Sequence, residues 1–225
     1  MGFLTSNDTE NDDEAIATFH FPTSKKALIV FARNPELGKC KTRLAKTIGD
    51  ENALAIYRTL LQHTAKISES VKADNFVFYS EHIHKNDTWD DNNFRKKLQQ
   101  GEDLGERMNH AFKDLFQNNY QKVVIIGSDI LDLTSEIIDD AFNQLEHNDV
   151  VIGPAKDGGY YLLGMKTLHS ELFKNKAWGT ATVLEESLKN LTNKSVYLLE
   201  ELNDIDTFED IKDYPQFKKY SIHHD

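Results

Sequence analysis

The chain has 225 residues, of which 39% are hydrophobic and 28% charged, and a formal net charge of -11. That length suits one α/β domain or two small ones, with enough apolar material for a sizeable core. No apolar stretch is long enough for a transmembrane helix, no secretory layout opens the chain, and the single cysteine, Cys40, cannot form an internal disulfide, so the expected compartment is cytoplasmic. Strong acidity without a broad basic face argues against nucleic acid as the main partner.

Residues 1–24 are polar and acidic, with a run from Asn7 to Glu14, and read as a disordered N-terminal extension. An alternative for Ala15 to Phe21 is an edge strand or a contact with a second subunit, which would make a homodimer. A single domain is expected over residues 25–225. It opens on Ala27 to Ala32, an apolar run of buried-strand length. Arg33-Asn34-Pro35-Glu36-Leu37-Gly38 then reads as a loop, and a helix follows it. From Lys25 to Lys46 there are seven Lys or Arg against one acid, Glu36. A basic glycine loop between strand and helix suits phosphate, and an island of this kind in an acidic chain suggests a small anionic ligand.

Helical spacing covers Asp50 to Ser70. Asn75 to Ser80 reads as a strand, His82 to Asn93 as a polar loop, and Phe94 to Gln99 as a further strand. Glu106 to Phe116 is helical by spacing, and Lys122 to Gly127 is a second strongly apolar strand that ends in Ser128-Asp129. Thr134 is the expected cap of a helix through about His147. Strands are expected at Asp149 to Gly153, Tyr160 to Met165 and Val196 to Leu199, and helices at Thr180 to Leu191 and Thr207 to Asp213. Strands alternating with helices predict a three-layer α/β/α architecture around a mainly parallel sheet. Ligands of such sheets bind beyond the carboxyl ends of the strands, so the loops at Arg33 to Arg43, Asp129 and Asp157 should converge.

Two common phosphate motifs fail. Gly38-Lys39 is followed by Cys40 where a P-loop needs Ser or Thr, and G-x-G-x-x-G is absent after the first strand. What stands there is Arg33-x-Pro35-x-x-Gly38-x-x-Lys41-Thr42-Arg43-Leu44. This resembles the first loop of a bacterial glycosyltransferase family with a GT-A-like nucleotide-diphospho-sugar transferase fold, one branch of which is assigned to arsenosugar biosynthesis. That family is similar in turn to the phospholactate and molybdenum-cofactor guanylyltransferases. Five further matches follow in order: Gln99-x-Gly101-x-Asp103-Leu104-Gly105-Glu106-Arg107-Met108; Gly127-Ser128-Asp129; Gly153-Pro154-Ala155-x-Asp157-Gly158-Gly159-Tyr160-Tyr161-Leu162-Leu163-Gly164; Trp178-Gly179-Thr180; and Asp204-Ile205-Asp206-Thr207. Together they span roughly Ala27 to Asp213. The chain departs from the family at Leu131, where a proline usually follows the Gly-Ser-Asp turn.

The resemblance implies a transferase that uses a nucleotide-activated donor, either a nucleotide sugar or a nucleoside triphosphate, and a small-molecule acceptor. Arg33, Gly38, Lys41, Arg43, Gly101 and Asp103 would hold the nucleotide, with Lys41 and Arg43 also offsetting phosphate charge during reaction. Asp129 and Asp206 would carry Mg²⁺ or Mn²⁺, since such a cation takes one or two protein carboxylates with phosphate oxygens. Asp157 would be the general base or acceptor-orienting group, and Gly158, Gly159, Tyr160 and Trp178 the acceptor wall. Glycosyl transfer is the leading expectation. Nucleotidyl transfer with release of pyrophosphate is the alternative, and an inactive nucleotide-binding protein a third.

Each residue also has a plainer reading. Asp129 could cap the next helix, Asp204 could be a turn residue, Asp206 could be an N-cap, and Trp178 could be ordinary core. Lys39 and Lys46 read as solvated charges and Cys40 as inert. His82 and His84 lack a third ligand for zinc, and His223-His224 reads as tail.

Overall fold

A computed structural model describes residues 22–220, so the expectations for Ala15 to Phe21 and for the terminal histidines lie outside the described residues. The strands are β1 (Lys26–Ala32), β2 (Asp74–Tyr79), β3 (Phe94–Leu98), β4 (Lys122–Ile126), β5 (Val150–Pro154), β6 (Tyr160–Met165) and β7 (Val196–Leu198). The helices are α1 (Thr42–Ile48), α2 (Asp50–Glu69), α3 (Leu104–Gln117), α4 (Ser135–Gln144), α5 (Val183–Asn190) and α6 (Phe208–Ile211). Short 3-10 segments at Ser170–Phe173 and Pro215–Tyr220 were not expected from the sequence.

One sheet carries the order β3-β2-β1-β4-β6-β5-β7. β1 pairs in parallel with both β2 and β4, β2 with β3, and β5 with β7, whereas β6 runs antiparallel between β4 and β5. The sheet is therefore mainly parallel, as the alternation predicts. Its strand order reverses at β1, whose chain leads to β2 on one side while β4 lies on the other. The carboxyl ends of β1 and β4 thus bound a topological switch point, the usual ligand crevice of an open α/β sheet.

Side-chain alternation along β1 explains the three layers. Leu28, Val30 and Ala32 face the layer built with α1, α2 and α4, while Ala27 and Ile29 face the layer built with α3 and α5. A strand covered on both faces must be apolar throughout, which is why β1 reads as a continuous run. Helix α3 buries Met108, Ala111, Phe112 and Leu115, a spacing of three and four that places one apolar stripe on the sheet. Gly49, with φ of 84°, breaks what would otherwise be one helix into α1 and α2.

The capping pattern bears out Thr134 as the expected cap and removes the plainer readings of Asp129 and Asp206 as caps. Helix α4 is capped by Thr134, whose hydroxyl accepts from the Ile137 amide, so Asp129 is not its cap. Helix α6 is capped by Thr207 in a reciprocal box with Asp210, so Asp206 is not its N-cap either. Both aspartates are left for other partners. Among the described residues no helix is long and apolar enough to cross a membrane.

At Gly153 on β5, a Cβ would overlap the Tyr161 ring of the paired strand β6. Gly153→Ala should therefore destabilise the fold by about 1–3 kcal/mol through overpacking. Chemical denaturation checks this, and an unchanged midpoint and slope would refute it.

Candidate functional site

Three carboxylates and a cation meet at the switch point. Asp129 follows β4, Asp157 follows β5, and Asp204 follows β7 on the segment leading to α6. Asp129, Asp157 and Asp204 line one cavity of about 330 Å³, with Arg33 at the end of β1. The Ile205 amide donates to the Asp129 carbonyl at 3.0 Å, and this backbone bond carries residues 204–206 to the end of β4. The expected convergence of the Arg33, Asp129 and Asp157 loops is found.

Lys41 crosses from the β1 loop to β4. Its side chain is only 6% exposed, and Nζ donates to Asp129 Oδ2 at 2.9 Å. A buried ammonium needs such a partner, because stripping its water without compensation is costly. Lys41 has φ of 50° and caps α1, so the chain turns sharply there to send the side chain inward. Gly38, with φ of 73°, supports the preceding bend. Arg43 behaves differently. It is 70% exposed and donates to Asp206 Oδ2 at 2.8 Å. A pair this exposed contributes only about 0–1 kcal/mol, so Arg43 can exchange its carboxylate for a phosphate at little cost.

The loop rests on buried polar clamps. The Tyr57 hydroxyl accepts from the Arg33 amide at 2.9 Å, and it also lies within hydrogen-bonding distance of the Arg33 carbonyl and Ser128 Oγ. Asn34 Oδ1 accepts from the Glu81 amide at 2.9 Å, while Asn34 Nδ2 donates to the His82 carbonyl at 2.7 Å. Periodicity placed Tyr57 on the apolar face of α2 and Asn34 in an ordinary loop. Nothing in their sequence neighbourhood marks them as clamps.

Asp204 is the main residue that the sequence reading undervalued. A turn role was weighed for it there, with Asp206 preferred as the metal ligand. The structure places Asp204 in the cavity and Asp206 on Arg43. Burial first, and the negative charges of Asp129 and Asp157 next, push the Asp204 carboxyl up to about 6. A half-buried carboxyl beside two other carboxylates is a fit for an added cation. The fit extends to one or two carboxylates and no further. Among the described residues, the three-ligand grouping that emerges is Glu36, Glu81 and His82, and Lys39 already pairs with both of its glutamates. Lys39 is thus a surface charge, as expected, ion-paired to both glutamates.

Other expectations are redistributed. Asp157 Oδ1 accepts from the Gly159 amide at 2.8 Å, which fixes the carboxylate at the turn after β5. Gly159 lines the cavity, but the space beside Gly158 is filled by the Ala181 backbone, so Gly158 permits close chain approach and does not leave room for an acceptor. Tyr160 and Trp178 both line the cavity, with rings perpendicular at 6.5 Å. Gly101 and Asp103 lie outside the cavity lining. Asp103 caps α3 by accepting from the Glu106 amide at 2.8 Å, and the Gly101 carbonyl accepts from Arg107 Nε at 3.0 Å. Cys40 is buried, and desolvation pushes its thiol up despite the nearby cations, in keeping with an inert role. Leu131, at the family's proline position, packs against the core beside buried Ile130 and Leu133, so apolar anchoring holds that loop.

The sequence profile of a bacterial family described as an uncharacterized protein conserved in bacteria (DUF2064) matches residues 63–180. A crystal structure from Desulfovibrio desulfuricans G20, of a protein carrying the provisional name nucleotide-diphospho-sugar transferase, is 32% identical. It superposes with a TM-score of 0.79 over 87% of this chain and 91% of that one. The 2-phospho-L-lactate guanylyltransferase of Methanocaldococcus vulcanius is 34% identical over 79 residues. That match covers 33% of this chain and spans only 36% of the guanylyltransferase. A cytidylyltransferase from Leptospira borgpetersenii shares the fold alone, at 18% identity, a TM-score of 0.55, and 86% and 84% of the two chains. The GT-A-like nucleotide-diphospho-sugar transferase fold expected from the motifs is the fold of this chain.

The raised Asp204 carboxyl gives a signed pH dependence. The folded state holds this proton up to about pH 6, whereas an unfolded Asp releases it near its model value of 3.8. Stability therefore falls as pH rises through that window, and the cost is fully present above it. Asp204→Asn should raise the melting temperature at pH 7.5 more than at pH 4. Equal shifts at the two pH values would refute the assignment.

Proposed function

The chain belongs to the bacterial DUF2064 family, and from that membership, the fold and the cavity we propose that it is a transferase acting on a nucleotide-activated donor. The observation that carries this reading is the pairing across the switch point, Lys41 with Asp129 and Arg43 with Asp206, beside a cavity that also contains Asp157 and Asp204. Cations held by exchangeable carboxylates suit an anionic donor that arrives, displaces part of the pairing and leaves.

In this reading the loop from Arg33 to Arg43 receives the donor phosphates. Gly38 allows backbone approach, Lys41 provides a fixed charge, and Arg43 swings from Asp206 to grip two oxygens at once. Gly101 and Asp103 border the nucleotide end at the start of α3. Asp129 and Asp204 hold Mg²⁺ or Mn²⁺ together with donor oxygens, while Asp206 serves chiefly as the resting partner of Arg43. When bound, the cation supplies neutralisation of the charge that grows on the leaving phosphate. Asp157 sits on the acceptor side of the cavity, fixed by the Gly159 amide, and its free carboxylate oxygen accepts the proton of the attacking hydroxyl.

Glycosyl transfer is the reading adopted. The bond between the anomeric carbon and the donor phosphate oxygen breaks, and a bond from that carbon to the acceptor oxygen forms. The electron pair leaves with the nucleoside diphosphate, and the acceptor proton goes to Asp157. The resemblance over most of the chain to the Desulfovibrio protein supports it. Nucleotidyl transfer is the second reading. The guanylyltransferase match and the two cations suited to a triphosphate favour it.

Product analysis separates the two. Incubation with nucleotide sugars should release free nucleoside diphosphate, whereas release of pyrophosphate from nucleoside triphosphates would establish the second reading. Arg43→Ala should weaken donor binding about tenfold or more with the fold intact, as loss of charge-assisted hydrogen bonds implies. Asp157→Asn should lower turnover far more than donor affinity. Equal calorimetric affinity for Arg43→Ala would remove the first loop from the donor site.

A further inference from the structure

We propose that the acceptor is an aromatic or similarly apolar alcohol or amine, carrying an uncharged or cationic reacting end, and that the cavity discriminates against phosphorylated or carboxylic acceptors. This rests on the transferase reading above and names the substrate class of the same site.

The walls of the cavity divide by chemistry. One part of its lining is Asp129, Asp157 and Asp204, with Arg33 the one cation in the lining. The apolar part of its lining includes Phe31, Met108, Ile125, Tyr160, Leu163 and Trp178. That apolar set comes from both sheet and helix, so an occupant's body meets apolar side chains from more than one layer. Tyr160 and Trp178 stand edge to face at 88° and form an aromatic corner. Such a corner receives a flat ring or a cationic head on its π faces.

The corner is rigidly held. Trp178 packs on the first turn of α3, where a Cβ at Gly105 would lie 2.6 Å from Cζ2 and 2.7 Å from Nε1 of the indole. Only glycine lets the indole approach this helix so closely. The Tyr160 hydroxyl has a single weak contact, Met108 Sδ at 4.0 Å. A phenol whose hydroxyl is left with a thioether is an open hydrogen-bonding position beside an apolar wall, and an acceptor's oxygen or nitrogen would satisfy it.

Charge decides against the other class of acceptor. A phosphorylated or carboxylic acceptor would bring its negative charge toward Asp157 and Asp204, with only Asp129 offset by Lys41, and be stripped of water against apolar side chains. Both effects disfavour it. Arg33 is exposed and sits at the end of β1, on the side where the donor phosphates are placed, so it is the donor's cation in this reading. An alcohol meets no such repulsion, and an amine gains from the same carboxylates.

The chain holds two tryptophans, and Trp89 is buried against Phe94, away from the cavity lining. Trp178 emission therefore reports on the cavity directly. The full-length protein would be titrated with 2-phenylethanol, 2-phenylethylamine and 2-phenylethyl phosphate, with and without Mg²⁺, by fluorescence and by calorimetry. Without Mg²⁺, the alcohol and the amine should bind saturably and at least about tenfold more tightly than the phosphate, a difference of about 1.4 kcal/mol. Tyr160→Leu, which keeps the wall apolar, should weaken the alcohol several-fold and leave the melting temperature close to that of the parent. A phosphate probe that binds as tightly as the alcohol without Mg²⁺ would overturn the proposal, as would Trp178 emission unmoved by alcohol and amine. Nucleoside diphosphate and triphosphate titrations of the same samples keep the two readings apart. Retained nucleotide binding with failed alcohol binding overturns the acceptor class alone, and loss of both overturns the transferase reading with it.

Discussion

The buried ammonium of Lys41 is the constraint on which the site's arrangement depends. It sits on a loop between β1 and α1, almost fully removed from water, and its partner is Asp129 at the end of β4. A charge in that position must be paired, and pairing it requires β1 and β4 to be adjacent with both carboxyl ends on one edge. The parallel β1–β4 ladder, with Val30 opposite Ile126, supplies that adjacency. The left-handed backbone of Lys41 then sends the side chain inward. The apolar sheet and the ion pair at its edge are thus two parts of one solution. The sheet creates the low-polarity edge that makes the charge costly, and the register of the same sheet delivers the carboxylate that offsets it.

A second consequence is an uneven distribution of electrostatic tension. Asp129 is satisfied by Lys41, and Asp206 by Arg43, but burial, and then the charges of Asp129 and Asp157, hold the Asp204 carboxyl up. The tension is stored where three separate segments converge, after β4, β5 and β7. Such local disagreement with the rule that buried charges are paired is characteristic of functional positions, where stability is given up for a later binding event. The clamps around it show the opposite behaviour. Tyr57 and Asn34 satisfy loop backbone groups through buried hydrogen bonds, so the loop that carries Lys41 is fixed before any ligand arrives.

The fold was largely legible in the sequence because its signals are local. The runs at β1 and β4 are apolar throughout since both faces of the sheet are covered, and α2 and α3 show clean helical spacing. The loops that converge were legible for the same reason, since strand ends locate them. Side-chain pairing was not, because it is decided by which strands become neighbours. Asp204 and Asp206 are two residues apart and chemically identical, and no local pattern says which faces the cavity and which meets Arg43. The same holds for Gly158, whose reason for being glycine lies 23 residues away at Ala181 (181 − 158). The alternative of a cap at Asp206 fails for a subtler cause. Thr207 and Asp210 complete a reciprocal box that outcompetes a single aspartate cap.

The site's two halves answer to different physics, and that difference orders events. The donor half is made of cations on a pre-fixed loop, so a phosphate-bearing donor can be captured from a distance by charge. The other half is largely apolar, and the excess charge beside it is negative. An alcohol or amine can occupy that wall in the free protein, but it has no bond to attack until the donor is seated. Arrival of an anionic donor, displacing Asp206 from Arg43 and bringing cation with it, supplies that bond. The donor therefore gates the reaction of an acceptor that binds independently, without any movement of the sheet that holds Arg43, Asp129, Asp157 and Asp204.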